Sequence, residues 1–302
     1  MTIYQHSDSN KRKTWLLLAG FFVFIIIVGY VFAFAMEEPG ILYGAVIFSI
    51  LSSFISYWWS DKIVLAMSGA HLVVHDSNRE LFHIVENLCI ASGLPQPKIY
   101  LIEDSAPNAF ATGRNPEHAV IVVTSGLLEK LDRVELEGVI AHELSHIGNR
   151  DILLATIVTV LVGVVVLLAD WFRRFSLFGN RRSNDRENGQ LALIITVVAI
   201  VFSILAPLFA YLMQFSISRK REFLADADGA LLTRYPEGLA RALEKNSADS
   251  EPLEAANRAT AHLYFSSPFK EDSGRRVSWF TKMFMTHPPV EERIKALRNL
   301  GK

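Results

Sequence analysis

The uncharged stretch WLLLAGFFVFIIIVGYVFAFAM, from Trp15 to Met36, decides how this chain must fold. It contains 22 residues, and an α-helix of that length crosses the hydrocarbon core of a bilayer, which is about 30 Å thick. A secretory signal peptide has a shorter apolar core, followed by a cleavage site of small residues. The stretch therefore predicts a transmembrane helix rather than a removable leader.

A second uncharged run, Ile41–Trp59, follows directly after the tight turn Glu37–Gly40. Two tryptophans at its end, followed by charged residues, are typical of an anchor at the membrane surface. Lysines and an arginine precede the first run and the turn contains none, so the positive-inside rule places the N-terminus and the chain after Trp59 in the cytoplasm. Residues 1–60 thus predict an N-terminal transmembrane hairpin.

Two more apolar runs, Ile152–Ala169 and Leu191–Ile217, predict a second hydrophobic hairpin over residues 152–217. The loop between them carries five arginines, where the orientation rule expects few. Either the neighbouring cationic stretches outweigh these arginines, or the second hairpin does not fully cross the membrane. In both cases Arg150 and Arg219 lie on the same side of the membrane.

The composition of the whole chain agrees with a membrane protein. Of its 302 residues, 51% are hydrophobic and 20% are charged, which excludes a disordered chain. With 30 Lys and Arg against 31 Asp and Glu, the net charge of −1 provides no field that would select nucleic acid. The single cysteine, Cys89, excludes an internal disulfide and a cysteine-rich metal site, so any metal must be held by histidine and carboxylate side chains.

Two polar segments, residues 61–151 and 218–302, are expected to form the two parts of one cytosolic domain. In the first segment, a capping box of Asp132 and Glu135 predicts a helix that ends near Asn149. The whole sequence predicts a mainly α membrane protein, with four transmembrane-type helices in two hairpins and a cytosolic α+β domain that contains a small sheet. The other elements predicted from spacing and β-branched content are a helix over Glu80–Ala91 and strands over Ile99–Ile102 and Ala119–Val123.

The capped helix contains the motif His142-Glu143-Leu144-Ser145-His146. Helical residues four apart share one face, so both imidazoles can reach one metal ion while Glu143 lies to the side, where it can hold a water molecule. Zinc hydrolases combine two histidine ligands, an open position for water and an acidic base. Zinc lowers the pKa of the water toward about 7, and the base takes its proton and passes it to the leaving amine. The motif therefore predicts one zinc ion per subunit, bound by His142 and His146, with Glu143 as the catalytic base.

Two alternatives compete with this interpretation. The motif could be a coincidence on an amphipathic helix, although a chain with nine histidines would produce it by chance only about 0.01 times. His71 and His75 are also four apart, but no acidic residue lies between them and no third ligand is evident. A solvated or membrane-proximal pair is the better interpretation of these two histidines.

The third zinc ligand is expected after the second hairpin, at the membrane surface from which the chain departs after His146. Glu222 and Asp226 lie four apart there, and a carboxylate from a second helix would complete a His-His-Glu site. Asp226, one turn after Glu222, is placed to accept the second ring N–H of a ligand histidine. The alternative is a solvated face on which Arg219, Lys220 and Arg221 meet lipid phosphates.

These two motifs resemble those of the HtpX-type membrane zinc metalloproteases, relatives of the CAAX prenyl proteases. In that family a His-Glu-x-x-His helix is followed, after a hydrophobic hairpin, by Glu-Phe-x-Ala-Asp, which residues 222–226 match letter for letter. The resemblance also covers Pro107–Ala111, Thr124–Leu128 and Thr286–Pro289, and the arginine-rich loop departs from it.

The resemblance implies a gluzincin-like zinc endopeptidase that spans the bacterial inner membrane several times, with its active site facing the cytoplasm. Its expected substrates are membrane or misfolded proteins, as part of envelope quality control, and its other expected partner is the lipid bilayer. No nucleic-acid partner is expected.

Two further segments are weaker candidates for the site. In similar proteases the segment Asn108-Ala109-Phe110 presents an edge strand beside the zinc, which would bind the substrate backbone by β-augmentation. The alternative is a turn in which Asn108 bonds its own backbone. His287, before two prolines, could donate to the developing oxyanion or cap a vacant zinc position. The alternative for His287 is a surface histidine that precedes a helix.

Two other classes of function remain as alternatives. A transporter usually places ionisable residues inside the membrane, and the four apolar runs contain no Asp, Glu, Lys, Arg or His. A non-catalytic zinc-binding scaffold or holdase would need no base such as Glu143 and would usually close its fourth coordination position. The sequence therefore favours a membrane-bound zinc endopeptidase.

Overall fold

The computed structural model of this chain describes residues 3–35, 38–179, 219–257, 259–268 and 288–300. Most of these residues are helical, and one four-stranded sheet lies among the helices. The α-helices are α1 (Ile3–Ala35), α2 (Gly40–Trp58), α3 (Ser60–Met67), α4 (Arg79–Ser92), α5 (Ser125–Lys130), α6 (Arg133–Gly148), α7 (Asp151–Gly179), α8 (Arg219–Thr233), α9 (Pro236–Ala248) and α10 (Val290–Leu300). The strands are β1 (His71–Leu72), β2 (Lys98–Ile102), β3 (Ala109–Thr112) and β4 (Val120–Thr124), and short 3-10 helices cover His75–Ser77, Pro116–His118 and Ala261–Leu263.

Two described helices, α1 and α2, are long and apolar enough to cross a membrane, over Ser9–Phe34 and Gly40–Trp58. Helices α6 and α7 would pass the same test only as one span bent by 85°. The third apolar run of the sequence lies within α7. The fourth run, Leu191–Ile217, lies outside the described residues, so the arrangement of four membrane helices stays a prediction, as do the domain boundaries.

The surface of α2 has the pattern expected of a membrane helix. Large side chains such as Ile50 and Phe54 are exposed, whereas Ser49, Ser52 and Ser56 are buried. The buried hydroxyl groups bond within their own helix, as when Ser56 Oγ donates to the carbonyl of Ser52 at 2.6 Å. Small buried residues allow membrane helices to approach closely, and exposed apolar side chains are expected on the face of such a helix that meets lipid.

The sheet has the strand order β1-β2-β4-β3. Strands β2 and β4 run parallel, whereas β1 and β3 pair antiparallel with their neighbours. All five residues of β4 are buried, as expected for a β-branched strand in the middle of a sheet. The predicted strands at Ile99–Ile102 and Ala119–Val123 are confirmed as β2 and β4, each shifted by no more than one residue at either end. Strand β3 forms one edge of the sheet, beside α6.

Helix α6 begins with the predicted capping box. The Asp132 carboxylate accepts a hydrogen bond from the backbone N–H of Glu135 at 3.0 Å, and the Glu135 carboxylate accepts one from the N–H of Asp132 at 2.9 Å. The two reciprocal bonds fix the first turn and therefore the direction in which every later side chain of α6 points. The apolar residues of α6 form the centre of the soluble core, and those with no exposed surface are Val139, Ile140, Ala141, Leu144 and Ile147.

Helix α8 packs closely across α6 because glycine lies at their crossing point. A Cβ atom at Gly229 would stand 3.0 Å from the backbone N of His142, so a larger residue would push the two helices apart. At the other end of α6 the chain turns sharply into α7 through Arg150, which has a φ of 57°. These two features bring the first turn of α8 and the first residue of α7 to the same side of α6.

Candidate metal centre

Three side chains converge on one point between α6 and α8. The Nε2 atoms of His142 and His146 are 3.2 Å apart. Glu222 Oε1 is 3.5 Å from the Nε2 atom of His146, and Glu222 Oε2 is 3.9 Å from that of His142. One ligand atom from each residue lies within 4.8 Å of the others, and no second group of three such side chains is found in the described ranges.

The Nδ1 atoms of the two histidines lie beside carboxylates, which leaves their Nε2 atoms available to bind a cation. His142 Nδ1 lies 3.0 Å from Oδ1 of Asp226, and His146 Nδ1 lies 3.1 Å from Oδ2 of Asp151. Because a carboxylate accepts hydrogen bonds, we assign the ring protons to Nδ1 in both cases. Two Nε2 lone pairs and the Glu222 carboxylate then face one another, which a divalent cation would stabilise. The residues present therefore fit a metal.

The electrostatic surroundings of the two rings differ. Burial lowers the pKa of His142 to about 4, although the adjacent Asp226 carboxylate acts in the opposite direction. Burial also lowers the pKa of His146, but Asp151 and Glu222 outweigh it and raise that pKa to about 9. His142 is therefore neutral at pH 7, as a metal ligand must be, and the carboxylates around His146 favour a positive charge at that position.

Arg293 of α10 is the residue of this centre that sequence reasoning missed most clearly. It is fully buried, and its guanidinium donates to both oxygens of Asp226, at 2.8 and 2.7 Å. Its Nη1 atom also donates to the carbonyl of Phe265 at 3.1 Å and lies 3.6 Å from Oε2 of Glu222. The sequence carried a signal, because Arg293 precedes the buried Leu297 by four residues and so lies on the apolar face of its helix.

Asp151 is the second residue that the sequence did not identify. The sequence placed it at the boundary of the second hairpin, whereas the structure makes it the first residue of α7 and the hydrogen-bond partner of His146. Its other oxygen, Oδ1, accepts hydrogen bonds from Asn10 Nδ2 at 2.7 Å and from Arg221 Nη1 at 3.3 Å. Each candidate histidine ligand is therefore backed by a buried aspartate that is itself hydrogen-bonded.

Glu143 lies beside the three converging side chains and is only 2% exposed. Burial raises the pKa of Glu143 to about 7, although the charge of His146 acts to lower it. The Glu143 carboxylate also accepts a hydrogen bond from the backbone of Ala111. A cleft opens here, and its walls are formed by Ala111, Ile152, Ala155, Leu263, Tyr264 and Phe265 together with the candidate ligands and Glu143. A carboxylate with a pKa close to 7 can both accept and return a proton at physiological pH.

The segment Asn108-Ala109-Phe110 runs into β3, the edge strand beside the centre, but the chain itself uses much of this edge. The carbonyl of Ala109 accepts a hydrogen bond from Phe265 N at 2.7 Å, and Asn108 Nδ2 donates to the carbonyl of Ser266 at 3.1 Å. Phe110 is fully buried, with its ring 5.0 Å from that of Tyr264. Substrate contact by residues 108–110 stays a prediction, and Ala111 is the part of β3 that lines the cleft.

The remaining candidate histidines lie elsewhere. His287 falls outside the described residues. His71 and His75 are exposed and lie near separate acidic residues, with His71 Nε2 3.6 Å from Glu103 and His75 Nδ1 3.7 Å from Asp76. They do not belong to a group of three potential metal ligands within the part of the chain that the structure describes.

Comparison with known proteins gives consistent similarities. The model of peptidase family M48 matches residues 75–301. A protease HtpX homolog of Dictyoglomus turgidum is 44% identical over 302 residues, which cover 99% of this chain and 95% of that protein. The protease HtpX homolog of Thermoanaerobacter pseudethanolicus is 45% identical over 304 aligned positions, which cover 99% of this chain and 98% of that protein. Among solved structures, the alignment with S. mikatae Ste24p covers 97% of this chain and 67% of the Ste24p chain, with 17% sequence identity and a TM-score of 0.47.

Proposed function

Since this chain belongs to peptidase family M48 and is a membrane-bound metalloprotease, we propose that His142, His146 and Glu222 bind its metal and that Glu143 is its catalytic base. The observation that carries the proposal is the convergence of three ligand atoms within 4.8 Å. The aspartate behind each histidine supports it, because metal-binding histidines nearly always donate their other ring N–H to a carboxylate or a carbonyl.

We propose that the metal is one zinc ion per subunit. Two imidazoles and one carboxylate are a common ligand set of catalytic zinc, in which the fourth position stays open for water. The softer thiolate ligands are excluded here, because the only cysteine, Cys89, is buried in the apolar core. Zinc, when bound, supplies a Lewis acid that activates water near neutral pH and polarises a carbonyl.

The residues of the chain supply the remaining steps of peptide hydrolysis. Glu143 would hold the attacking water, accept its proton and return that proton to the leaving amine. Ala111, on the edge strand, would pair with the backbone of an extended substrate that enters the cleft. Asp226 and Asp151 would keep the two histidine rings in the orientation that the site requires.

We propose that the substrates are membrane or misfolded proteins and that the enzyme acts in envelope quality control. Helix α1 begins its candidate span at Ser9, next to Asn10, which contacts the centre through Asp151. The cleft therefore lies close to the level at which α1 enters the bilayer. The lysines and arginine that precede the uncharged run Trp15–Met36 support an inner-membrane location, with several spans and with the site facing the cytoplasm.

The test compares cleavage of casein, an unfolded protein, by zinc-loaded wild type and by Glu143→Gln. The substitution is isosteric and leaves the three proposed ligands in place, so zinc content should stay stoichiometric while cleavage falls by about 10²-fold or more. Glu137→Gln is the matched control, because Glu137 lies on the same helix, is partly exposed and pairs with Arg133 instead. Its activity should equal that of the wild type.

Two results would overturn the proposal. If Glu143→Gln cleaves casein as fast as the wild type, Glu143 is not the base. If the wild type binds one zinc ion but cleaves nothing, a zinc-binding scaffold or holdase becomes the better interpretation.

A further inference from the structure

We infer that Asn10, on the N-terminal membrane helix α1, is a positioning residue for the metal centre and acts through Asp151 on His146. This inference rests on the proposed role of His146 as a metal ligand. Asn10 is only 3% exposed although it lies at the beginning of a candidate membrane span. A buried amide without hydrogen-bond partners would destabilise the fold, so its contacts explain why a polar residue is tolerated there.

The side-chain amide of Asn10 contacts both sides of the bend between α6 and α7. Its Nδ2 atom donates to Oδ1 of Asp151 at 2.7 Å and lies 3.3 Å from the carbonyl oxygen of Asn149, to which it also donates. Between these two acceptors stands Arg150, in the left-handed conformation. Asn10 therefore ties together the last residue before the bend and the first residue after it.

Asp151 transmits this contact to the proposed ligand. Its Oδ2 atom lies 3.1 Å from Nδ1 of His146, while Oδ1 accepts from Asn10 and, at the longer distance of 3.3 Å, from Arg221. Of the two hydrogen bonds to Oδ1 that the described residues make, the one from Asn10 is therefore the shorter. Removing it would let the carboxylate rotate, and the ring of His146 would lose its fixed direction.

The packing of α1 fixes the position of Asn10. The buried face of α1 continues from Asn10 through Thr14 and Leu18 to Phe21, at helical spacing. Leu18 and Phe21 belong to one apolar cluster with Leu153 and Ile157 of α7. Because α1 is held against α7 along this face, Asn10 stays beside Asp151, and the membrane helix contributes to the metal centre as well as to anchoring.

The experiment measures the affinity of the full-length protein in detergent for Zn²⁺, by competition with a chromophoric chelator. Asn10→Leu keeps the side-chain volume but removes both donors, and we expect its zinc affinity to fall about tenfold. The absorption spectrum of Co²⁺ bound at the same site should also change, because it reports the geometry of the ligands. Thr14→Val is the matched control, since Thr14 is buried one turn later and its hydroxyl donates within α1, to the carbonyl of Asn10. The zinc affinity and the Co²⁺ spectrum of this variant should equal those of the wild type.

A double-mutant cycle separates this role from a general effect on folding. If Asn10 acts through Asp151, then Asn10→Leu should lower zinc affinity in the wild type and have no further effect in an Asp151→Asn background. Asn10→Ala, which adds no apolar bulk, serves as the second variant if Asn10→Leu does not fold, and the same non-additivity is expected.

The outcomes distinguish this inference from the proposed function. Loss of zinc binding in His146→Ala, together with unchanged affinity in both Asn10 variants, would overturn the inference and leave the proposed function intact. An equal loss caused by Asn10→Leu in both backgrounds would also overturn it. Unchanged zinc affinity in His146→Ala would overturn the proposed function and the inference with it.

Discussion

Arg293 holds both carboxylate oxygens of Asp226 in a bidentate ion pair, although neither side chain has more than 2% of its surface exposed. Burial raises the pKa of Asp226, but the guanidinium of Arg293 outweighs it and keeps the carboxylate ionised. Asp226 in turn lies against the ring of His142. The pair therefore connects the last described helix, α10, to a proposed metal ligand.

The first prediction concerns this ion pair. Arg293→Leu leaves a buried carboxylate without its cation, so we expect it to lower the free energy of unfolding by about 3–5 kcal/mol. Thermal denaturation in detergent would show the change as a lower Tm. Arg298→Leu is the control on the same helix, because the pair of Arg298 with Glu237 is exposed and should contribute no more than about 1 kcal/mol. Equal stability of Arg293→Leu and the wild type would contradict the prediction.

The second prediction concerns the crossing of α6 and α8. Gly229→Ala places a Cβ atom 3.0 Å from the backbone N of His142 and should cost about 1–3 kcal/mol through overpacking, even though alanine is the better helix former. Zinc content should fall as well, because Glu222 moves away with α8. Gly148→Ala is the control, since its Cβ would meet only side-chain atoms of Leu94, at 3.7 Å or more. If Gly229→Ala keeps the Tm and zinc content of the wild type, the two helices are not held together as closely as described.

The third prediction concerns metal removal. A metal that binds only the folded protein stabilises it, by about 2.7 kcal/mol at a free concentration one hundred times its Kd. EDTA should therefore lower the Tm of the wild type and abolish cleavage, and added zinc should restore both. In Glu222→Ala the EDTA-induced change in Tm should be absent or much smaller.

Asp228→Asn provides the matched control for the third prediction. Asp228 lies on the same helix as Glu222, but it is not one of the three converging side chains and accepts hydrogen bonds from Ser145 and Asn149 instead. Its variant should keep the response to EDTA. A full response in Glu222→Ala would mean that another residue is the third ligand.

The fourth prediction concerns the orientation in the membrane. The only thiol in the sequence, Cys89, is buried, and burial raises its pKa to about 11, which makes it unreactive. Cys89→Ala removes it altogether and gives a background without thiols. In that background Glu38→Cys, in the exposed turn between α1 and α2, should react with an impermeant maleimide added to intact spheroplasts. Lys98→Cys, exposed at the start of β2, should react only after the membrane is permeabilised. The opposite labelling pattern would place the centre on the outer side.

Local patterns explain why part of this architecture could be predicted from the sequence. The capping box at Asp132 fixes the start of α6, and the spacing of four residues fixes the common direction of His142 and His146, because both depend on one helix alone. Strand β4 is recognisable in the sequence because all five of its residues are β-branched.

Contacts between distant parts of the chain could not be predicted in the same way. Asp151 looked like a hairpin boundary because its partner Asn10 is 141 positions away, and nothing in the local pattern links the two. The role of Arg293 was not predicted either, because 67 positions separate it from Asp226, its partner in the ion pair. Pairing of the edge strand β3 with Phe265 likewise depends on a segment far along the chain.

The wide separation of these residues in sequence also determines when the enzyme becomes complete during synthesis. Asn10 leaves the ribosome first, His142 and His146 follow, and Glu222 and Arg293 emerge last. Until Arg293 has emerged, the carboxylate of Asp226 has no cation to hold it in the core, and the proposed metal ligands cannot take their final positions. If the proposed ligands are correct, the nascent chain would therefore be an incomplete protease until α10, the last helix that the structure describes, has docked.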